Sequence, residues 1–286
     1  MLQDLFTGLS VGIVYAMVGV GFVIVHRITG MVNFAQGELA MLGAFGAVVA
    51  VRGLPVILSL PVGAVVGALA GLLLYGLVIH PLRNQGLLVQ TIATLGAALV
   101  LRSVAQLLFG SQPYSVPPLT GGAPLEIGGA SLSRQSIWLL ALAAVTYAAL
   151  KYFFDRTMTG RAMSACAINR YAAGVVGVDV VAMAALAFAI SGGITGLFGA
   201  ASAPLTFASS GAGLVLALKG FIAAILGAFD KIGLTIVGGL LVGIVEALSA
   251  SQISPAYQEA IVLSVLLVLL VARPTGLTRN RVAERV

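Results

Sequence analysis

The stretch FTGLSVGIVYAMVGVGFVIVH, residues 6–26, contains no Asp, Glu, Lys or Arg. An α-helix rises about 1.5 Å per residue and the hydrocarbon core of a membrane is about 30 Å thick, so about 20 apolar residues make one crossing. Asp4 is the one charged side chain before this run, and neither a basic leader nor a cleavage pattern accompanies it. We therefore predict a retained transmembrane helix rather than a signal peptide.

The composition extends this interpretation to the whole chain. Of 286 residues, 60% are hydrophobic and 8% are charged, whereas soluble domains carry roughly 25% charged residues. We predict an all-α polytopic membrane protein whose residues 1–286 form a single transmembrane domain with about nine helices, or between eight and ten. The run 214–229 is short enough to be re-entrant. The predicted spans are 6–26, 33–51, 55–79, 87–109, 136–154, 181–203, 214–229, 232–250 and 259–272.

The basic residues predict the orientation. The isoelectric point near 9.8 reflects Arg and Lys that collect in loops on one side, which is typical of the positive-inside pattern and not of nucleic-acid binding. Nine alternating spans place the N-terminus outside, and they make 110–135 an external loop long enough for a short hairpin. The same alternation makes 155–180 a cytoplasmic loop and 273–286 a cytoplasmic tail. The outer side keeps only Arg52 and Arg134.

The cytoplasmic loop contains the most polar stretch between two long apolar runs. Residues 155–170 read DRTMTGRAMSACAINR, which is basic, rich in small residues and able to form a helix. A membrane-buried chain has few places where it can meet a soluble partner, so this segment is a candidate docking site. The alternative is a solvated loop that only connects two spans and supplies the positive charge typical of cytoplasmic loops.

Four charged residues lie inside predicted spans, where a charge costs roughly 2.5–3.5 kcal/mol at the membrane centre on insertion scales. Lys219 and Glu246 lie at equal depth on neighbouring helices, so we predict an ion pair between them. This pair either fixes the register of the two helices or lines a vestibule that meets a zwitterionic solute. Arg102 is expected to extend its side chain towards the outer surface.

The fourth charge, Glu38, follows a pattern that resembles a helix start. Asn33 begins the second span and Gln36 stands three residues later, as in a capping box. The helix dipole favours a carboxylate at this position, so Glu38 is either structural or in contact with a translocation path. The candidate path residues are Asn33, Gln36, Glu38, Lys219 and Glu246.

Glycines spaced by four residues recur in several spans. Lipid provides no hydrophobic force between helices, so close backbone approach through glycine is a main source of packing. We predict that these glycine faces hold the bundle together; the alternative is that one of them contacts a homologous subunit. No internal repeat is indicated, since only LGAF occurs twice, at 42–45 and 226–229. The spaced glycines are Gly8 and Gly12; Gly63, Gly67 and Gly71; Gly192 and Gly196; Gly239 and Gly243.

Catalytic and metal-binding signatures are missing from the sequence. No Lys precedes Ser or Thr, which excludes a phosphate-binding P-loop. His26, His80 and Cys166 make no metal-binding set, and no Ser/His/Asp combination is recognisable. The Ser-Gly-Gly at 191–193 also occurs in an ATPase signature. Here it lies within an apolar span, with no nucleotide-binding fold around it, so it does not indicate an ATPase. We predict that the chain is not an enzyme, binds no metal and needs no cofactor of its own.

Several motifs occur in the order found in one known family. MVNFAQGE at 31–38 resembles the Met-Ile-Asn-Phe-Ala-His-Gly-Glu stretch of permeases from branched-chain amino acid ABC importers. TGRA at 159–162, ACA at 165–167 and GVVGV at 174–178 resemble the cytoplasmic coupling segment of these permeases. The matches KGF, AILG, EALS and RPTGL follow, at 219–221, 224–227, 246–249 and 273–277. The chain resembles the shorter of the two permease types of this family from about residue 8 to residue 277.

The resemblance implies a permease subunit of a cell (inner) membrane, paired in a heterodimer with a second, related permease. It further implies two cytoplasmic ATPase subunits, which bind ATP and Mg²⁺, and an external binding protein that delivers the solute. The residues that match the ATPase-coupling segment are Thr159, Gly160, Arg161, Ala162, Ala165, Cys166, Ala167, Asn169 and Arg170.

The chain departs from the family pattern at a few positions. Gln36 replaces the usual His, Ser164 replaces a basic residue, and Ile168-Asn169-Arg170 replaces a more acidic stretch. The expected solutes are branched-chain or related small amino acids, with urea, short amides or aromatic acids as alternatives within the family. Two other classes remain open: an ion-coupled secondary transporter, which would need several carboxylates along a path, and an intramembrane enzyme, which would need a catalytic cluster.

Overall fold

The computed structural model describes residues 1–127, 129–252 and 257–272, and these form a helical bundle with one small hairpin. The all-α prediction is confirmed. A 3₁₀ turn (Val56–Leu58) precedes α3 and a π turn (Tyr75–Ile79) follows it. The helices are α1 (Leu2–Thr29), α2 (Gln36–Ala50), α3 (Ser59–Leu74), α4 (Leu87–Phe109), α5 (Arg134–Arg156), α6 (Met158–Ile168), α7 (Arg170–Val175), α8 (Val180–Thr206), α9 (Ala212–Leu226), α10 (Ile232–Gln252) and α11 (Gln258–Ala272).

Each predicted span coincides with a helix, but the helices differ in length. Within the described residues, six helical stretches are long and apolar enough to cross a membrane: α1, Val56–Ile79, α4, α5, α8 and α10. The apolar helices α2 and α9 have 15 residues each. They rise about 22 Å, which is less than the hydrocarbon thickness of about 30 Å. The predicted tail 273–286 and its RPTGL motif lie outside the described residues.

Helix α1 forms the centre of the bundle. Residues 12–25 of this helix are all buried, and α1 packs against α8, α9 and α10, with α5 and α6 at its flank. A helix that is apolar on every side has no face that prefers water, so it can be enclosed by other helices. The first predicted span is therefore surrounded by protein for most of its length.

Glycines set the distance between α1 and α10. A Cβ atom built on Gly8 would lie 2.8 Å from the carbonyl oxygen of Gly243, and one on Gly12 would lie 2.9 Å from that of Gly239. Real Cβ atoms do not approach backbone this closely, so both positions require glycine. The order of the contacts is reversed along the second helix, which shows that α1 and α10 are antiparallel.

The same arrangement holds α3 against α8. A Cβ on Gly67 would lie 2.2 Å from the carbonyl oxygen of Gly192, and one on Gly196 would lie 2.4 Å from that of Gly63. The prediction that the spaced glycines hold the bundle together is confirmed. The alternative, a seam to a homologous subunit, is wrong for these stripes because neighbouring backbone within the chain fills them.

The two glycine crossings are equivalent to each other. The helices α1 and α3 pack on α10 and α8 respectively, and the short helices α2 and α9 occupy matching places in the order α1-α2-α3 and α8-α9-α10. The packing thus relates α1-α2-α3 to α8-α9-α10, an arrangement that the sequence does not reveal.

The two long loops lie at opposite ends of α1. The hairpin of β1 (Leu125–Ile127) and β2 (Ala130–Leu132) confirms the prediction of a hairpin within 110–135. It is tied to the start of α1, because the backbone N–H of Ser131 donates to Oε1 of Gln3 at 2.7 Å. At the other end of α1, Arg170 of α7 donates to the carbonyl of Thr29 at 3.0 Å. The segments 110–135 and 155–180 therefore belong to opposite faces of the bundle.

The substitution Gly67→Val tests the role of the glycine crossing. The valine side chain would force α3 away from the Gly192 backbone, and overpacking of this kind costs about 1–3 kcal/mol. We expect a lower midpoint of thermal unfolding in detergent. The matched control is Gly96→Val on α4, where a Cβ atom meets open space. Equal midpoints for the two variants would contradict the packing role of Gly67.

Candidate functional site

The predicted cytoplasmic loop is folded into the two short helices α6 and α7. The Thr157 hydroxyl accepts a hydrogen bond from the backbone N–H of Gly160 at 3.0 Å, and Asn169 Oδ1 accepts one from Ala172 at 3.0 Å. Side-chain oxygens at these positions satisfy N–H groups that have no partner in the first turn of a helix. Asn169 therefore acts as the cap that starts α7.

The inner face of α6 packs against the chain itself. Met163 and Cys166 are buried, and a Cβ atom on Gly160 would lie 2.0 Å from the carbonyl oxygen of Phe153 at the end of α5. Gly160 and Cys166 match the family's coupling segment, but they lie on the inner face of α6 and hold this helix against the chain. Neither residue is accessible to a partner in this structure. The related residues Ala162, Ala165 and Ala167 are half-buried beside them.

Helices α6 and α7 are attached to the last turns of α1. Met163 belongs to the same buried cluster as Ile24 and Ile28 of α1, and Phe154 of α5 packs against this cluster. The guanidinium of Arg170 donates to the Thr29 carbonyl, and a cation at this position also complements the negative end of the helix dipole. Helices α6 and α7 are therefore braced against the central helix.

The opposite side of α6 and α7 is exposed and carries large apolar side chains. Ile168 is 88% exposed and Tyr171 is 84% exposed. The polar residues predicted for coupling, Thr159 and Arg161, are exposed on the same two-helix segment. Sequence reasoning missed the apolar members, although large apolar residues in an otherwise polar loop were a usable signal. We call this surface the docking face; its apolar residues are Met158, Ile168, Tyr171, Val175 and Val176.

The predicted ion pair between Lys219 and Glu246 is confirmed. Lys219 Nζ lies 2.5 Å from Glu246 Oε1 and also donates to the Tyr15 hydroxyl at 3.1 Å. The side-chain amide of Gln258 donates to the same carboxylate oxygen. Lys219 is 7% exposed and Glu246 is 6% exposed, so neither charge is solvated. The cluster joins α1, α9, α10 and α11 through a buried, neutralised pair.

The prediction for Arg102 is wrong. Its guanidinium pairs with the buried carboxylate of Glu38, which links α4 to α2, and only about 25% of the Arg102 side chain is exposed. A Cβ atom on Gly213 would lie 2.2 Å from Glu38 Oε2, so the start of α9 covers the carboxylate. Glu38 lies 64 residues before Arg102 in the sequence. The ion pair is favoured over exposure of the guanidinium at the surface, because Glu38 without a partner would be a costly buried charge.

The predicted capping box at Asn33 is also wrong, since α2 begins at Gln36. Asn33 Nδ2 donates to Gln36 Oε1 at 3.2 Å, and the Gln36 amide donates to Thr195 and to the carbonyl oxygen of Ser191 on α8. Both side chains are fully buried. The structure thus separates the five candidate path residues into three clusters: Asn33 with Gln36, Glu38 with Arg102, and Lys219 with Glu246. Within the described ranges, no three His, Cys, Asp or Glu side chains are grouped to hold a metal.

A double-mutant cycle tests the Lys219–Glu246 pair. Lys219→Met or Glu246→Leu alone leaves one buried charge uncompensated, which typically costs about 3–5 kcal/mol. We expect the double variant to lose much less than the sum of the two single losses. The measurement is the free energy of unfolding in detergent for all four proteins. Strictly additive losses would exclude the pairing.

Cys166 reports whether α6 stays packed. Burial raises the pKa of the Cys166 thiol, so less thiolate is present at neutral pH. We expect maleimide labelling to be slow in the folded protein, to accelerate as the pH rises, and to be fast after unfolding. The control places the one cysteine on the docking face, as Tyr171→Cys with Cys166→Ser, and should react quickly. Equal rates at the two sites would contradict the packing of α6.

Comparisons with known proteins identify relatives along the full chain. Residues 5–271 match the family described as branched-chain amino acid transport system / permease component. The high-affinity branched-chain amino acid transport system permease protein LivH of Escherichia coli (strain K12) is 30% identical, over 100% of this chain and 97% of the relative. Its counterpart BraD of Pseudomonas aeruginosa is 27% identical, over 100% and 98% respectively.

A more distant relative carries a different solute in its name. The ribose import permease protein RbsC of Haemophilus influenzae is 26% identical, over 91% of this chain and 81% of its own length. No solved structure matches the chain. The family match extends over residues 5–271, and the described helices include six apolar spans. The chain is therefore a multi-pass membrane protein that belongs to the family of branched-chain amino acid transport permeases, the membrane components of ABC transporters rather than their ATPases.

Proposed function

We propose that this chain forms half of the translocation path of an ATP-driven importer for branched-chain or related small amino acids. A second, related permease would complete the path, an external binding protein would deliver the solute, and two cytoplasmic ATPase subunits would supply the energy. The observation that carries this proposal is the docking face: exposed apolar side chains on helices braced against the central helix of the bundle.

The composition of the docking face supports a protein partner. Tyrosine is among the residues that contribute most to protein interfaces, and Tyr171 projects from α7 with Ile168 at the end of α6. An exposed apolar patch rimmed by polar residues is typical of an interaction site. Arg161 and Asn169 supply such a rim.

The attachment of α6 and α7 to α1 supports a mechanism. Closure of the ATPases would push on the docking face, and the contacts of Met163 and Arg170 would pass that push to α1. Antiparallel glycine crossings permit small shifts between helices, because no interlocking side chains oppose them. Rocking of the α1-α2-α3 and α8-α9-α10 units would then expose the path to one side at a time.

We infer nine crossings, with the N-terminus outside and the C-terminus inside. The opposite placement of 110–135 and 155–180 along α1, together with the basic residues of 155–180, supports this orientation. In this topology α2, α9 and α11 also cross the membrane, and with the six long spans they give nine crossings. The path residues Asn33, Gln36, Glu38, Lys219 and Glu246 would then meet the solute only in a conformation in which their present partners separate.

Solute identity within the family is a separate question. The Gln36 side chain is hydrogen-bonded to Asn33 and to α8 within the chain. The replacement of the family's usual His by Gln36 is therefore weak evidence for a different solute. Urea, short amides and aromatic acids remain the alternatives to branched-chain amino acids. Binding of leucine, urea and benzoate to the cognate external binding protein distinguishes among them, and tight leucine binding is the expected result.

The double substitution Ile168→Ser with Tyr171→Ser tests the docking face. It removes two exposed apolar contacts without touching the buried side of α6, so the protein should insert normally. We expect loss of ATPase co-purification and a drop of ATP-dependent uptake of at least about tenfold. The control is Leu54→Ser, an exposed apolar residue in the connection after α2. Normal ATP-dependent uptake by the double variant would refute the proposed coupling.

A further inference from the structure

We propose that a groove between α3, with its π turn, and α4 binds one acyl chain of an anionic phospholipid, whose phosphate is held at the loop 80–86. This site is independent of the solute that the protein carries. The groove measures about 480 Å³. All the residues that line it are apolar, and they include Leu73, Leu77, Val78, Ala93, Gly96 and Val100.

The groove is left open by the way in which α4 packs. Helix α4 lies mainly against the π turn and against α2, rather than against α3 itself. Leu73, Leu77 and Val100 are therefore exposed, and a Cβ atom on Gly96 meets open space. Among the described residues, no part of the chain covers this surface. In a membrane it is filled by a lipid chain or by another protein.

The dimensions of the groove suit an acyl chain better than a helix. Its wall on α4 runs from Ala93 to Leu101, which is about 12 Å at 1.5 Å per residue. One leaflet of the hydrocarbon core is about 15 Å thick, so the groove holds most of a lipid tail. The volume divided by this length gives a cross-section of roughly 40 Å², whereas a helix about 10–12 Å across needs about twice that area. A helix of another protein would therefore contact only the rim.

The loop beside the groove favours an anion. Val78 lines the groove, and His80 follows two residues later. The exposed guanidinium of Arg83 donates to Nε2 of His80 at 3.0 Å, which holds it close to this end of the groove. None of the ion pairs among the described residues includes Arg83. The sequence has no Asp or Glu between Glu38 and Glu126, so the two helices add no opposing charge. Arginine can bind a phosphate through two parallel N–H groups.

The loop 80–86 lies on the face of the bundle that carries α6 and α7. A Cβ atom on Gly30 would lie 3.7 Å from the Leu87 side chain, which places the start of α4 beside the end of α1. Arg170 of α7 binds the same end of α1 through the Thr29 carbonyl. In the orientation inferred above this is the cytoplasmic face, where anionic lipids attract basic residues. The groove and Arg83 thus follow the order of tail and phosphate in a phospholipid of that leaflet.

The test measures how strongly brominated lipids quench a single tryptophan in the full chain, reconstituted in phosphatidylcholine vesicles. Trp138→Phe removes the native tryptophan, and Leu77→Trp places one in the groove. The vesicles contain the same minor fraction of either brominated phosphatidylglycerol or brominated phosphatidylcholine. The matched control is Tyr152→Trp, an exposed position near the end of α5 on the same face.

We expect a preference of about fivefold for phosphatidylglycerol at Leu77→Trp, the ratio that one arginine near an anionic surface provides. No preference is expected at Tyr152→Trp. Adding Arg83→Gln should abolish the preference in the groove by removing the cation, and adding Gly96→Phe should abolish it by filling the groove.

Equal quenching by the two lipids at Leu77→Trp, or a preference that survives Arg83→Gln, would overturn the site. If Leu77→Trp fails to insert, Leu73→Trp reports on the same groove, and the same outcomes apply. The measurement is repeated after assembly with a second permease subunit. Loss of quenching by both lipids in that complex would show that protein covers the groove, which would also overturn the lipid site. Retained preference for phosphatidylglycerol in the complex would support it.

Discussion

Contact between the backbones of glycine-bearing helices is the constraint on which this bundle depends. Lipid is as apolar as the helices, so burial of apolar side chains gives little preference for one neighbour over another. At Gly8–Gly243 and Gly67–Gly192 the backbones approach so closely that no side chain fits between them. These two crossings fix α1 against α10 and α3 against α8. The short helix α2 has glycine contacts of its own, because a Cβ atom on Gly43 would lie 2.2 Å from the carbonyl oxygen of Gly196 and one on Gly37 would lie 1.9 Å from that of Gly213 at the start of α9.

The central helix connects features that are far apart in the molecule. At one end α1 contacts the hairpin of the 110–135 loop. In its middle Tyr15 bonds to Lys219. At its other end Thr29 accepts the hydrogen bond from Arg170, next to the docking face. Because α1 is enclosed by protein for most of its length, it connects these features through the inside of the bundle.

Charge inside the bundle joins helices. Glu38–Arg102 and Lys219–Glu246 are pairs in which each ion neutralises the other, and each pair ties together helices that the α1–α10 and α3–α8 glycine crossings do not join. Removal of one member of either pair would leave a buried charge without compensation, which is strongly destabilising.

The sequence by itself determined the helices, because a long apolar run in a membrane can satisfy its backbone only as a helix. It determined the Lys219–Glu246 pair, since a fixed rise per residue gives depth, and it identified the family through motif order. Only the tertiary structure decided that Arg102 pairs with Glu38, that Gly160 and Cys166 face inward, and that α1-α2-α3 and α8-α9-α10 are equivalent. The reason is physical: helices that are apolar on every side carry no periodic signal of which face meets which neighbour. That choice depends on backbone contacts between residues more than a hundred positions apart.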